Sequence, residues 1–102
     1  MSEIDQLIQE IRAFAQSRDW QKFHTPKNLA MAITGEAGEL AAEFQWLTAE
    51  QSMLSSLSTE QLQAITHEVA DVVIYLLRLA DVLKIDLPHA VREKMGINEG
   101  RF

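Results

Sequence analysis

Residues 69–80, VADVVIYLLRLA, place Val69, Val72, Val73, Ile74, Tyr75, Leu76, Leu77, Leu79 and Ala80 around more than one face of any helix they form. A helix that is apolar on most sides must be buried on most sides. A chain of 102 residues holds too few other helices to enclose it. The segment therefore predicts a helical chain whose burial is completed by copies of itself, a homodimer or larger homo-oligomer being the economical form.

Helical spacing recurs along the rest of the chain, and strand-like alternation is hard to find. From Ser2 to about Arg18, the residues Ile4, Leu7, Ile8, Ile11, Phe14 and Ala15 form one stripe with Glu3, Gln6, Glu10 and Gln16 outside it. The segment 18–24, RDWQKFH, breaks that period and predicts a loop or short turn. A second helix is expected from Thr25 as N-cap, with Pro26 at the first position where its missing N–H costs nothing. It should continue through Leu29, Ile33, Leu40 and Phe44 to about Leu47. Gly35 and Gly38 inside it each cost about 1 kcal/mol against alanine, which suggests a close approach to the backbone there. Thr48 with Gln51 and Ser58 with Gln61 have capping-box spacing, so 48–57 predicts a linker containing a helical turn. A third helix is expected from about Thr59 to Lys84, and a fourth from Asp86 as N-cap, fading past Gly96 and Gly100. The expected class is all-α: an antiparallel four-helix bundle completed by oligomerisation, in a single domain over residues 1–102.

Composition removes most other classes. Two prolines and four glycines are too few for a turn-rich β-sandwich or barrel. With no cysteine there is no disulfide, no thiolate metal site and no cysteine nucleophile. A net charge of −6 argues against a nucleic-acid polymer as partner, because such binding needs a basic face. The acidic, mixed N-terminus resembles neither a secretory signal nor a transit peptide. No apolar run approaches the ~20 residues of a membrane span. The expectation is a soluble, cytoplasmic chain without a membrane partner.

Most acidic residues, Glu3, Asp5, Glu10, Glu50, Glu60, Asp81 and Glu93 among them, are readable as solvated faces or caps. Four others are not. Asp71 is the single charged side chain within Val69–Leu77, and Glu68 lies one turn earlier on the same face. Glu36 falls in the apolar stripe of the second helix, with Glu39 at i+3 and Glu43 at i+7. Two helices thus each present an E-x-x-(E/D) pair inward. Four ionised carboxylates crowded there would repel by an amount comparable to the whole stability of a small domain, so the cluster calls for cations. A di-iron bundle would place histidine three residues after each glutamate, but those positions are Glu39 and Asp71, with His67 one residue off register. Hard oxygen ligands favour Mg²⁺, with Mn²⁺ a substitute, and carboxylate-held Mg²⁺ leaves positions for phosphate oxygens. The competing readings are pairs that face water, or buried ion pairs with Arg12, Arg18, Lys27 or Arg78. On those readings the chain is a non-catalytic nucleotide- or metal-binding oligomer, or a helical dimerisation domain.

GEAGELAAEFQW (35–46) followed by HEVADVVIYLLRLA (67–80) resembles the MazG-like all-α nucleoside triphosphate pyrophosphatases, in particular the small branch typified by dCTP pyrophosphatases. The family signature, E-x-x-E, a spacer, then E-x-x-D, is matched by Glu36, Glu39, Glu68 and Asp71. RDWQKFHTPKNL (18–29) and the tail KMGINEGRF (94–102) resemble two further blocks, the latter through Lys94, Asn98 and Arg101. The resemblance implies Mg²⁺-dependent hydrolysis of a (deoxy)nucleoside triphosphate to monophosphate and pyrophosphate, a house-cleaning role, and a dimer-of-dimers tetramer with sites near subunit interfaces. It implies metal binding and catalysis by the four acids, with either Glu36 or Glu39 taking the proton of the attacking water.

Lys94, Asn98 and Arg101 at i, i+4, i+7 can present one face to phosphates or sugar. A frayed, solvated C-terminus is the alternative. Trp20, Phe23, Trp46 and Tyr75 can form an aromatic slot in which a base stacks; the resemblance favours Trp20, Trp46 and Tyr75 for that slot and Phe23 for the core. Asn28 is either a base- or phosphate-orienting amide or a plain surface one. His24 and His67 are expected to be structural or exposed. Cytosine-preferring relatives carry a polar base-contacting side chain on the first helix, where Ile11 stands here, which implies a broader deoxynucleotide range.

Overall fold

In the computed structural model, residues 2–101 are described; residues 1 and 102 of the expected domain lie outside them. Four α-helices and one short 3₁₀ turn account for the regular structure: α1 (Glu3–Ser17), α2 (Pro26–Ala42), the turn Leu54–Ser56, α3 (Thr59–Val82) and α4 (Leu87–Arg101). The described residues contain no strand. The class expected from periodicity is the class observed.

Local chemistry sets the boundaries. Ser2 and Thr25 cap α1 and α2 by accepting from the backbone N–H groups of Asp5 and Asn28. Ser58 and Gln61 form a reciprocal capping box at the start of α3, with bonds of 2.8 and 3.1 Å. α1 ends at a left-handed residue, Asp19 (φ 55°), and the N–H of Trp20 reaches back to Ala15 O at 2.9 Å. α3 ends the same way through Lys84 (φ 57°), with Ile85 N–H on Ala80 O at 2.8 Å. Such 6→1 closures satisfy last-turn carbonyls and reverse the chain sharply.

Two helix ends differ from expectation. α2 stops at Ala42 rather than near Leu47. Glu43 and Phe44 donate to carbonyls three residues back, and Thr48 and Gln51 clasp each other's backbone N–H, so local bonds outcompete the apolar period. α4, expected to fade past Gly96, continues to Arg101. Its glycines keep negative φ, and about 1 kcal/mol each is too little to end it. Gly35 and Gly38 have nothing within 4 Å of where a Cβ would stand; the expected close approach is not present within the described chain.

α1 and α2 both pack on α3, while α4 makes only slight contact with the other helices. The buried apolar core is Ala15, Leu29, Leu77 and Ala80, contributed by those three helices. Phe23, expected in the core, is exposed, and so are Val69, Val73, Ile74 and Leu76 of the apolar α3 segment. The radius of gyration is 16.1 Å, against about 13 Å for a compact globule of this length. The accessible surface is 7676 Å², where a monomer of this mass exposes about 5,800 Å².

Asp81 is a correction. Expected as part of a solvated face or as a cap, it lies at the α1–α3 junction with only 14% of its side chain exposed. It accepts Nε of Arg12 at 2.8 Å, a second bond from the same guanidinium, and Nη1 of Arg78 at 3.2 Å. Arg78, 7% exposed, is the buried charged residue of the core, and its Nε donates to Nδ1 of His24 at 3.1 Å. One carboxylate thus joins α1, α3 and the turn that precedes α2.

Candidate active site

The packing of α2 against α3 brings the two acidic pairs together. Glu36 and Glu39 share one face of α2, and Glu68 and Asp71 one face of α3. Glu36, Glu39 and Glu68 each offer a carboxylate oxygen, and these oxygens all lie within 4.8 Å of one another. Glu39 is exposed, whereas Glu36, Glu68 and Asp71 are half-buried. One oxygen of Glu36 and one of Glu68, both Oε2, are closed off from solvent and have no hydrogen-bond partner.

Buried oxygens left unpaired are costly, and natural proteins rarely carry them without a reason. The electrostatics agree. Desolvation, then repulsion from Glu39 and Asp71, pushes the carboxyl of Glu36 above its ordinary value, with Glu68 adding. Desolvation, then Glu39 and Asp71, does the same to Glu68, with Glu43 contributing. No ion pair to any of the four acids occurs among the described residues. Arg12 and Arg78 are engaged by Asp81, and Arg18 lies 3.7 Å above the ring of Phe14. The arrangement fits a divalent cation: three convergent oxygens, no nitrogen or sulfur donor, and two buried acceptors without a proton to accept.

Beside the acids lies an aromatic recess. A cavity of about 180 Å³ is lined by the acids Glu36 and Asp71 together with Ile11, Phe14, Ala15, Trp20, His24, Ile74, Tyr75 and Arg78. A second, of about 350 Å³, is bounded by Trp20, Phe23, His24, Asn28, Leu29, Ala32 and Tyr75. The reversal after α1 holds Trp20 between the two, in edge-to-face contact with Phe14 at 5.5 Å. Asn28 uses its amide Nδ2 to bind Phe23 O at 3.0 Å, which ties the 18–24 turn to the start of α2.

Of the residues singled out from sequence, Glu36, Glu39, Glu68, Asp71, Trp20, Asn28 and Tyr75 are brought into this one region. Trp46 is not: it is 86% exposed and borders neither cavity. Lys94, Asn98 and Arg101 lie on α4, apart from the acids, Asn98 lining a separate open groove with Arg92 and Met95. Sequence reading missed Phe14 and Arg78 as cavity residues. Arg78 carries a signal in retrospect, as the lone cation in an apolar run.

No protein-family model matches the chain. Human dCTP pyrophosphatase 1 is 46% identical to it over 89 residues, 87% of this chain and 52% of that protein. The bovine dCTP pyrophosphatase 1 is 44% identical over the same length, 53% of that protein. The chain spans about half the length of these curated relatives. A pyrophosphatase of known structure from Archaeoglobus fulgidus superposes with a TM-score of 0.89 at 39% identity, over 100% of this chain and 94% of that one. With the fold shared end to end with a pyrophosphatase and the E-x-x-E and E-x-x-D pairs converging on one site, the chain belongs to the MazG-like all-α nucleoside triphosphate pyrophosphatase family.

Proposed function

We propose that the chain is a Mg²⁺-dependent nucleoside triphosphate pyrophosphohydrolase of one helical domain. It acts in the cytoplasm on deoxynucleoside triphosphates, dCTP or modified analogues among them, as a nucleotide-pool house-cleaning enzyme. Water attacks the α-phosphorus, the α–β anhydride breaks, and monophosphate and pyrophosphate leave with one proton released. The observation that carries this reading is the convergence of Glu36, Glu39 and Glu68 beside an aromatic recess, with two buried oxygens unpaired.

Glu36, Glu39, Glu68 and Asp71 are the residues that would hold the metal. When bound, Mg²⁺ (or Mn²⁺) supplies charge neutralisation and Lewis acidity toward the triphosphate. The chain's own groups do the rest. Glu36 or Glu39 takes the proton of the attacking water, and the cavity walls hold the nucleotide in line for attack. Trp20 and Tyr75 offer faces for the base. Ile11, where the first helix meets the cavity, offers no hydrogen bond to a base edge, which supports a broad deoxynucleotide range.

The exposed apolar residues of α3 and the excess accessible surface support self-association as a homodimer or dimer-of-dimers tetramer. Within one chain, α4 stands apart from the acids. Lys94, Asn98 and Arg101, and Trp46 likewise, therefore serve a nucleotide from a neighbouring copy.

The test is a panel of the four dNTPs and dUTP with Mg²⁺ and product analysis. Monophosphate plus pyrophosphate, suppressed by EDTA, is the expected result. Orthophosphate release, or hydrolysis indifferent to EDTA, rejects the proposal. Triphosphate binding without any product favours the non-catalytic binding reading instead.

A further inference from the structure

Arg12 and Asp81 line neither of the two cavities beside the acids, yet they join the parts of the molecule from which the smaller one is built. The acids stand on α2 and α3, which pack on each other more extensively than α1 packs on α3. α1 buries a single residue, Ala15. It nevertheless supplies Ile11, Phe14 and Ala15 to the cavity that Glu36 and Asp71 also line, and the turn after it supplies Trp20 and His24. Apolar burial is non-directional, so it does little to fix where so lightly buried a helix sits. The Arg12–Asp81 pair is directional. Arg12 donates from Nε to Asp81 Oδ2 at 2.8 Å and from Nη2 to Oδ1, a fork that sets orientation as well as distance. The same carboxylate accepts from Arg78 at 3.2 Å, and Arg78 donates to His24 in the turn at 3.1 Å. One carboxylate on α3 therefore holds α1 through Arg12 and the turn through Arg78.

We infer that Arg12 and Asp81 are positioning residues of the nucleotide site: their forked pair fixes the setting of Ile11 and Phe14 relative to Glu36 and Asp71, and so the fit of the nucleoside whose triphosphate meets the acids. The inference rests on the proposed function and adds to it two residues that touch neither substrate nor metal. Their influence passes through α1 and not through space. Asp81 stands ten residues beyond Asp71 on α3, about 15 Å along the axis and nearly two Debye lengths at physiological salt. Loss of the pair should therefore loosen the hold on the nucleoside, which α1 helps to enclose. The grip on pyrophosphate, which needs only the acids of α2 and α3, should persist.

The experiment compares wild type, Arg12→Ala and Arg12→Lys in dCTP hydrolysis with Mg²⁺. The Arg12 side chain is 45% exposed, so both variants should fold. Since a misplacement of about 1 Å can cost roughly a hundredfold, the looser wall of Arg12→Ala should raise KM for dCTP about tenfold with kcat little changed. Inhibition by pyrophosphate and the Mg²⁺ concentration for half-activity should stay near the wild-type values. Arg12→Lys keeps the charge without the fork, so its KM should remain raised. A pair that only stabilised the fold would act differently, because unfolded enzyme lowers apparent kcat and leaves KM alone. KM unchanged in Arg12→Ala, restored in Arg12→Lys, or raised together with an equal loss of pyrophosphate inhibition overturns the inference. Amide hydrogen exchange gives a reading that needs no turnover. In Arg12→Ala it should quicken over residues 3–24 and not over 26–42; a uniform change overturns the inference. A wild type that hydrolyses no dNTP would reject the proposed function, while the local change in exchange would still support the hold of this pair on α1.

Discussion

Replacing Asp81 by asparagine removes one negative charge from a junction that holds two arginines. Arg78 is 7% exposed, so the substitution leaves a guanidinium in the core without a charged partner, its side-chain acceptors then being the neutral His24 imidazole and the asparagine carbonyl oxygen. Breaking a buried ion pair by deleting one partner costs about 3–5 kcal/mol. Asp81 keeps 14% of its side-chain surface in solvent, which places the expected cost at the lower end, about 3 kcal/mol. For domains of this size that is a fall of roughly 10 °C or more in Tm. Urea unfolding followed by far-UV circular dichroism measures it directly. Arg12→Ala should cost far less, because that guanidinium is half in water. The pH dependence gives a second reading of the same junction. The hydrogen bond from Arg12, aided by the charges of Arg12, Arg78 and Lys84 and opposed by burial, holds the Asp81 carboxyl below its ordinary range. A depressed folded pKa stabilises the protein above the unfolded value, about 3.9, and that contribution is lost as pH falls through the folded one. Wild type should therefore lose stability on acidification below about pH 4, and Asp81→Asn should lack that component. A loss under 1 kcal/mol for Asp81→Asn would refute the view that this carboxylate neutralises a buried cation.

Glu36 and Glu68 titrate with the opposite sign. Their raised folded pKa values mean that protonation stabilises the metal-free protein and that this contribution disappears as pH rises. In EDTA the melting midpoint should fall between pH 5 and pH 7.5, and Mg²⁺ should remove most of that fall; a flat profile in EDTA would contradict it. Glu36→Gln should melt higher than wild type in EDTA at pH 7.5 while losing its response to Mg²⁺, because the repulsion and the ligand vanish together. Glu39→Gln and Asp71→Asn should abolish turnover with helicity intact; retained turnover in both would reject their roles. Ser58→Ala removes the donor–acceptor exchange that opens α3 and should cost about 1 kcal/mol in urea unfolding.

The parts of the fold visible in the sequence are those governed by periodicity and by short-range caps. Thr25–Pro26 and Ser58–Gln61 mark helix starts that the structure reproduces to the residue. The acidic pairs were legible because carboxylates at Glu36 and Asp71 interrupt apolar stripes, and two such interruptions on adjoining helices meet. The end of α2 was not, because Phe44 and Leu47 continue the apolar period while the Thr48–Gln51 clasp, a bond between side chain and backbone, redirects the chain. Asp81 was misjudged for a related reason. Its partner Arg12 lies far away in sequence, and its nearer partner Arg78, three residues earlier, has the spacing of an ordinary solvated pair on a helix surface. The left-handed turn at Asp19 that aims Trp20 is equally silent, since aspartate rather than glycine occupies it.

The central claim is that the acids of α2 and α3 direct water to the α-phosphorus of a nucleoside triphosphate. Hydrolysis of a dNTP in ¹⁸O-labelled water with Mg²⁺, followed by mass spectrometry of both products, tests it most directly. The label should appear in the monophosphate, with pyrophosphate unlabelled and no product formed by Glu39→Gln. Label in pyrophosphate or orthophosphate, or labelled monophosphate formed at the same rate by that variant, would contradict the account.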